Sequence, residues 1–112
     1  MNTETAVRVA SYAELAPSSV TRVVALGSDG TSHEIALIRI EDALYAIGDV
    51  CSHAEVSLSE GTLWDDECEL ECPKHGSAFS LRTGQPQSLP ATRPVPVYNV
   101  ERVGDDVMVS IP

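Results

Sequence analysis

An all-β fold is what this sequence predicts: many short antiparallel strands in small sheets or a partly open barrel, with an inserted segment that carries candidate metal ligands. Three observations lead there. Short β-prone runs recur along the chain, separated by turn-forming Gly, Asp, Ser and Pro. Residues 67–72 and 107–111 alternate between a polar and an apolar face, the period of a half-buried strand. No stretch places apolar residues at helical spacing.

With 112 residues, 43% of them hydrophobic, the chain fits one domain able to bury a modest core without disulfides. Within 1–112 the expected division is a base of 1–48 and 83–112 and an inserted ligand-bearing subdomain of about 49–82.

Taken in order, residues 7–10 are β-prone, and the SYAELAPSS that follows suggests a turn or one loose helical turn. Strand character resumes at 20–25. After the turn at 27–31, residues 33–40 are apolar on both faces, which predicts a central strand covered on both sides. Glu41 and Asp42 connect it to 43–47, completing a hairpin that delivers Gly48, Asp49, Val50 and Cys51. Residues 61–64 and 67–72 predict a smaller hairpin turning at Asp65 and Asp66. On its return strand Glu67, Glu69 and Glu71 share one face, leaving Cys68, Leu70 and Cys72 to point inward. Cys68 then reads as a small buried hydrophobe and Cys72 as an inward ligand. Residues 77–81 are β-like and end in a turn at 82–85. The three prolines of 88–96 exclude a central strand, so that segment should run extended over the surface. A closing hairpin of 97–103 and 107–111 turns through Gly104, Asp105 and Asp106.

The formal net charge is −10, from 17 acidic and 7 basic residues. Nucleic acid and anionic membrane surfaces are poor partners for such a chain, and a basic protein surface is the better one. The first residues lack the basic start and apolar core of a secretory signal, and no run approaches membrane-spanning length. The three cysteines suit a reducing cytosol, so a cytoplasmic protein with thiols as ligands is expected.

Two ligand pairs stand out, Cys51-x-His53 and Cys72-x-x-His75, with eighteen residues, 54–71, between them. Two cysteines and two histidines admit a closed tetrahedral zinc site or an iron–sulfur cluster with histidines on one iron. Zinc modules usually take both cysteines from one knuckle and both histidines from another. Here each loop offers one of each, an arrangement suited to a two-iron object gripped at both ends.

On CSH at 51–53 and CPKHG at 72–76 the sequence resembles the Rieske ferredoxins, and ALYAIGDVCSH at 43–53, SLSEG at 57–61 and RTGQP at 82–86 extend the likeness. The resemblance implies a Rieske-type fold holding one [2Fe–2S] cluster, with Cys51 and Cys72 on one iron and His53 and His75 on the other. Some features depart from the pattern. The spacing between the pairs is long, the excess falling near residues 64–67, and Ala54 stands where many members have glycine. Val56 and Lys74 occupy the positions of a disulfide found in cytochrome-complex members, so that disulfide is not expected. By the same likeness Pro73 and Gly76 shape the second loop, and Pro90 covers the cluster.

The histidine count bears on activity. An oxygenase doing its own chemistry needs a separate mononuclear iron, usually held by two histidines and a carboxylate. After cluster ligation only His33 remains, and it reads as an ordinary, partly exposed histidine. No nucleotide-binding glycine fingerprint is present either. The expected role is therefore that of an electron carrier and not an enzyme, taking single electrons from a flavin-dependent ferredoxin reductase to a non-haem iron oxygenase, as a monomer. His53 and His75 would form the electron port, with Glu55, Glu60, Asp65, Asp66 and Glu67 steering the partner and Trp64 either touching it or packing the hairpin. Other readings are a carrier for a different client, such as iron–sulfur assembly or another reductase, and a zinc-stabilised interaction module.

Two thiolates and two neutral imidazoles leave an oxidised [2Fe–2S] core neutral, whereas four thiolates would make it doubly negative. Reduction is correspondingly easier. Ser77 matches a serine of high-potential members, but Phe79 replaces the tyrosine that bonds a ligand sulfur. The midpoint potential should lie at the low end of the Rieske range, about −150 mV, and a redox titration giving a value above about +100 mV would contradict the assignment.

Overall fold

A computed structural model of the chain describes residues 5–27, 30–50, 56–74, 76–87 and 94–111. Nine strands lie among them. They are β1 (Thr5–Ser11), β2 (Ser19–Leu26), β3 (Ser32–Ile40), β4 (Ala43–Gly48), β5 (Thr62–Trp64), β6 (Glu69–Glu71), β7 (Ala78–Ser80), β8 (Val97–Val103) and β9 (Asp106–Ile111). Two 3-10 turns, Tyr12–Glu14 and Leu58–Glu60, are the helical elements among the described residues. The all-β expectation holds. The strands form a six-stranded antiparallel sheet in the order β1-β9-β8-β4-β3-β2 and a three-stranded sheet in the order β5-β6-β7.

β3 is the strand that both layers share. Residues 35–38 are all buried, with no solvent face. Ala36 and Ile38 pack in one cluster with Ile47, Leu58, Leu70, Cys72 and Phe79. Ile35 and Leu37, pointing the other way, pack with Tyr12, Leu15, Val107, Val109 and Ile111. Alternation along an extended backbone therefore hands successive side chains to two different cores, which is why the sequence is apolar at every position there. Each fully buried Ile or Leu contributes roughly 1.5–3 kcal/mol.

The turns explain most boundaries. Glu41 takes a left-handed φ of 53°, as the two-residue connection of β3 to β4 demands. The β8–β9 turn is tighter than predicted. Asp106 already pairs with Val103 and meets Arg8 of β1 at 2.7 Å, leaving Gly104 and Asp105 as the turn. The SYAELAPSS stretch does form one helical turn, and its ring packing is distinctive: Tyr12 lies between the guanidinium groups of Arg39 and Arg102, 4.3 and 3.7 Å from the ring centre. Such cation–π contacts contribute about 0.5–2 kcal/mol each.

Two sequence expectations need correction. The small hairpin turns through four residues, 65–68, and not through Asp65 and Asp66 alone. Trp64 pairs with Glu69, and hydrogen bonds from Glu67 N–H to Trp64 O and from Cys68 N–H to Asp65 O close successive turns. Cys68 is thus left-handed, with φ 57°, and outside the strand, though buried as expected. It sits in the hydrophobic cluster as expected, and the Tyr45 phenol packed there is held above its ordinary pKa, by the Cys68 thiol first and burial second. The proline segment is also less superficial than predicted. Residues 88–93 lie outside the described part, but Val95 is buried and pinned by its N–H to Gly84 O at 2.9 Å.

Asp105 caps the 3-10 turn. Its carboxylate accepts the Ser11 hydroxyl and the Ala13 N–H (2.9 Å), and its carbonyl accepts the Tyr12 N–H (2.7 Å). The Ser11 bond first and the Ala13 bond second hold the Asp105 carboxyl below its ordinary pKa. A depressed folded-state pKa stabilises above the unfolded value, and that contribution is lost as pH falls through the folded one. Asp105→Asn should lower the melting temperature by a few degrees at pH 7, and the gap to wild type should close as the pH falls below about 4. Melting curves from pH 7 to 3 measure this.

Candidate metal centre

Of the four predicted ligands, Cys72 is described, and Cys51, His53 and His75 lie outside the described residues, as do Glu55 and Pro90. What the structure fixes is the neck of each ligand loop.

The second loop leaves β6 and enters β7, which pair through Leu70 and Phe79. Cys72 follows β6 directly, as the period-two pattern predicted. Its N–H donates to Ser77 O at 2.7 Å, and the Gly76 N–H returns to Cys72 O at 3.1 Å. Gly76 has a φ of 75°, a left-handed conformation that glycine takes without strain. The Cys72 thiol is free and its residue only 1% exposed, while Pro73 and Lys74 stand in solvent. Ser77 and Phe79 are fully buried beside it.

The first loop is closed by Asp49. Its carbonyl accepts the Leu58 N–H at 2.6 Å, and Val50 bridges Ser57. The Asp49 carboxylate accepts the Ser57 hydroxyl and the Ser59 N–H (2.9 Å), and Arg22 Nε lies 3.3 Å from it. Sequence reasoning named Asp49 only as a connector. The signal it missed is an acidic residue directly after an apolar strand, followed at a short distance by two serines.

Gly61 holds the two necks together. Its φ of −86° would suit any residue, but a methyl group there would run into the carbonyl oxygen of Glu71, the residue before Cys72. Leu58, at the end of the first neck, shares the buried cluster with Cys72. Trp64 is 46% exposed on the hairpin, its indole N–H donating to Glu71 at 3.0 Å. The indole bond fits the hairpin-packing reading, and the side chain remains partly exposed. Glu60, Asp65, Asp66 and Glu67 are exposed. His33 is half-buried and lines a surface cavity with Gly48 and Val50 beside the first neck, edge-on to Tyr98 with ring centres 6.0 Å apart.

The family model for the Rieske [2Fe-2S] domain matches residues 5–99. This chain belongs to the Rieske family. The 3-phenylpropionate/cinnamic acid dioxygenase ferredoxin subunit of Escherichia coli K12 is 44% identical over 82 residues, covering 73% of this chain and 76% of that protein. Among solved structures, the ferredoxin of carbazole 1,9a-dioxygenase from Nocardioides aromaticivorans IC177 is 39% identical with a TM-score of 0.83, over 94% of this chain and 96% of that one. A chain in the complex of reduced oxygenase and oxidized ferredoxin in carbazole 1,9a-dioxygenase is 37% identical with a TM-score of 0.80, over 94% of this chain and 92% of that one.

The cofactor of this Rieske chain is a [2Fe–2S] cluster, which closes the choice between zinc and iron–sulfur that spacing alone left open. The described residues fit it. A buried thiol free of any disulfide among the described residues, set at a loop neck closed by backbone hydrogen bonds, has the chemistry and the placement of a thiolate ligand.

Gly61→Ala should destabilise the protein by about 1–3 kcal/mol, the usual cost of overpacking, because the added methyl must displace the strand that presents Cys72. Denaturant unfolding with iron content measured per chain checks it, and iron content should fall along with stability.

Proposed function

We propose that this chain is the ferredoxin component of a non-haem iron oxygenase system of the aromatic-ring dioxygenase type, carrying single electrons from a flavin-dependent reductase to the terminal oxygenase. The observation that carries this reading is the likeness, over nearly the whole length of both chains, to a dioxygenase ferredoxin. The chain is a carrier and not itself an oxygenase, in keeping with the single histidine left after ligation.

We assign Cys51 and Cys72 to one iron and His53 and His75 to the other. The bound cluster supplies reversible one-electron chemistry. The chain's own residues do the rest. Cys72, buried against Leu70, Phe79 and Ile38, would hold the cluster by its thiolate from the protein side. His53 and His75 would form the port to the partner. Residues 49–82 act as a cluster-binding subdomain on a base of 1–48 and 83–112, a division supported by the separate sheet of β5, β6 and β7.

Partner contact is brief, so it relies on charge more than on buried area. The exposed carboxylates of Glu60, Asp65, Asp66 and Glu67, with Glu55, would present a negative surface to a basic partner. No helix among the described residues is long and apolar enough to cross a membrane. We place the protein in the cytoplasm, acting as a monomer.

One set of measurements tests the reading. The reduced wild-type protein should give the EPR signature of a mixed-ligand [2Fe–2S] cluster and hold two irons and two labile sulfides, as the proposed cluster requires. Cys72→Ser and His75→Ala should lose that signature, while Cys68→Ala keeps it. Its reduction by a flavin-dependent ferredoxin reductase should slow as ionic strength rises toward 0.5 M. A colourless zinc protein, or salt-independent transfer, would overturn the corresponding part.

A further inference from the structure

We propose that Asp49 is the positioning residue of the first cluster loop, and that the Asp49–Arg22 pair beneath that loop biases the potential at which the site accepts an electron. The inference rests on the assignment of Cys51 and His53 as ligands. Neither Asp49 nor Arg22 has a part in the chemistry described so far.

The geometry is that of a knot in the chain. Asp49 is 1% exposed, and among the described residues its backbone and side chain tie the loop's neck together, alongside the Val50–Ser57 bridge. Its N–H donates to Glu34 O on β3 (3.0 Å) and its carbonyl accepts from Leu58. Its carboxylate gathers Ser57, Ser59 and Arg22. Three donors converge on one group, which suits an ionised carboxylate, an acceptor with no proton of its own. Removing such a group would take the shared acceptor from Ser57, Ser59 and Arg22 and untie the loop's neck from β2, with the backbone bonds to Glu34 and Leu58 left in place.

A buried carboxylate is costly even when paired, so its presence here calls for more than a tie. Asp49 lies two residues before Cys51, which limits their Cα separation to about 7 Å. That is inside the screening length of about 8 Å at physiological salt. Arg22 serves two carboxylates, Asp49 and Glu34, so the three groups sum to one negative charge. Arg22 is half exposed and Glu34 reaches solvent, whereas Asp49 does not. Electron uptake adds negative charge nearby. The Asp49 carboxylate therefore opposes reduction and the Arg22 guanidinium favours it, and removing one or the other must move the potential in opposite directions. A merely structural pair would give no such opposition.

The test is a spectroelectrochemical titration of the cluster-loaded protein with Asp49→Asn, Arg22→Gln and the double variant, together with reduced-state EPR and the rate of iron loss to a chelator. Asparagine keeps the shape and one acceptor oxygen. At the wild-type midpoint, Asp49→Asn should raise the ratio of reduced to oxidised protein roughly threefold, Arg22→Gln should lower it, and the double variant should lie between them. Asp49→Ala should lose iron severalfold faster than wild type, with Asp49→Asn largely restoring retention. A midpoint unmoved or raised by Arg22→Gln, or unmoved or lowered by Asp49→Asn, overturns the electrostatic part. Unchanged iron retention in Asp49→Ala overturns the positioning part. Should Asp49→Asn fail to load, Arg22→Gln alone decides, since its side chain is on the surface. A wild-type protein without the mixed-ligand EPR signature would instead refute the ligand assignment.

Discussion

Residues 35–38 of β3 have water on neither side, and the remainder of the molecule is arranged around that fact. One face of the strand closes the interior of the six-stranded sheet with Val107, Val109 and Ile111, and the other receives Leu70, Phe79 and Cys72 from the small sheet. The segment that carries the ligand loops is therefore bound to the base by a shared apolar wall. This kind of joint resists small displacements, because close-packed side chains have no soft direction in which to yield. A site that must change charge without changing shape benefits from such a wall.

Polar groups finish what the apolar wall begins. Hydrophobic contact brings Leu58 against Cys72 but is non-directional, so it cannot aim a backbone. The aiming is done by hydrogen bonds of fixed geometry: Asp49 across the first neck, and Cys72, Gly76 and Ser77 across the second. Gly61 then lets the two necks approach to a distance that no side chain would permit. At the opposite end of the sheet, Asp105 and the Tyr12 ring between two arginines lock the chain's first turn to its last hairpin. The charged groups at that end are partners in structure, while the exposed carboxylates around the small hairpin carry most of their charge to solvent.

Much of the fold could be read from residue order. The two-faced apolarity of 33–40, the Glu41–Asp42 turn and the alternation of Val107, Val109 and Ile111 each state a local requirement that the structure meets. Legibility failed where the conformation answers to distant neighbours. Asp65 and Asp66 look like a two-residue turn, yet the pairing of Trp64 with Glu69 spends two more residues, including a left-handed Cys68. The burial of Val95 follows from Gly84, which is far from it in pattern though near in space.

The sequence by itself narrowed the chemistry of this protein to a cysteine–histidine metal site. Two Cys/His pairs supply the proposed donors, one further histidine remains, and the period of two turns Cys72 inward, because residue type and strand alternation are properties of neighbouring residues. Tertiary structure decided how that chemistry is held. Nothing in residue order says that Asp49 would be buried with Arg22, that Gly61 would meet Glu71, or that Tyr45 would pack on the cluster that holds Cys68. Those pairings join separate segments of the chain, and their energies arise only when folding removes water from between them.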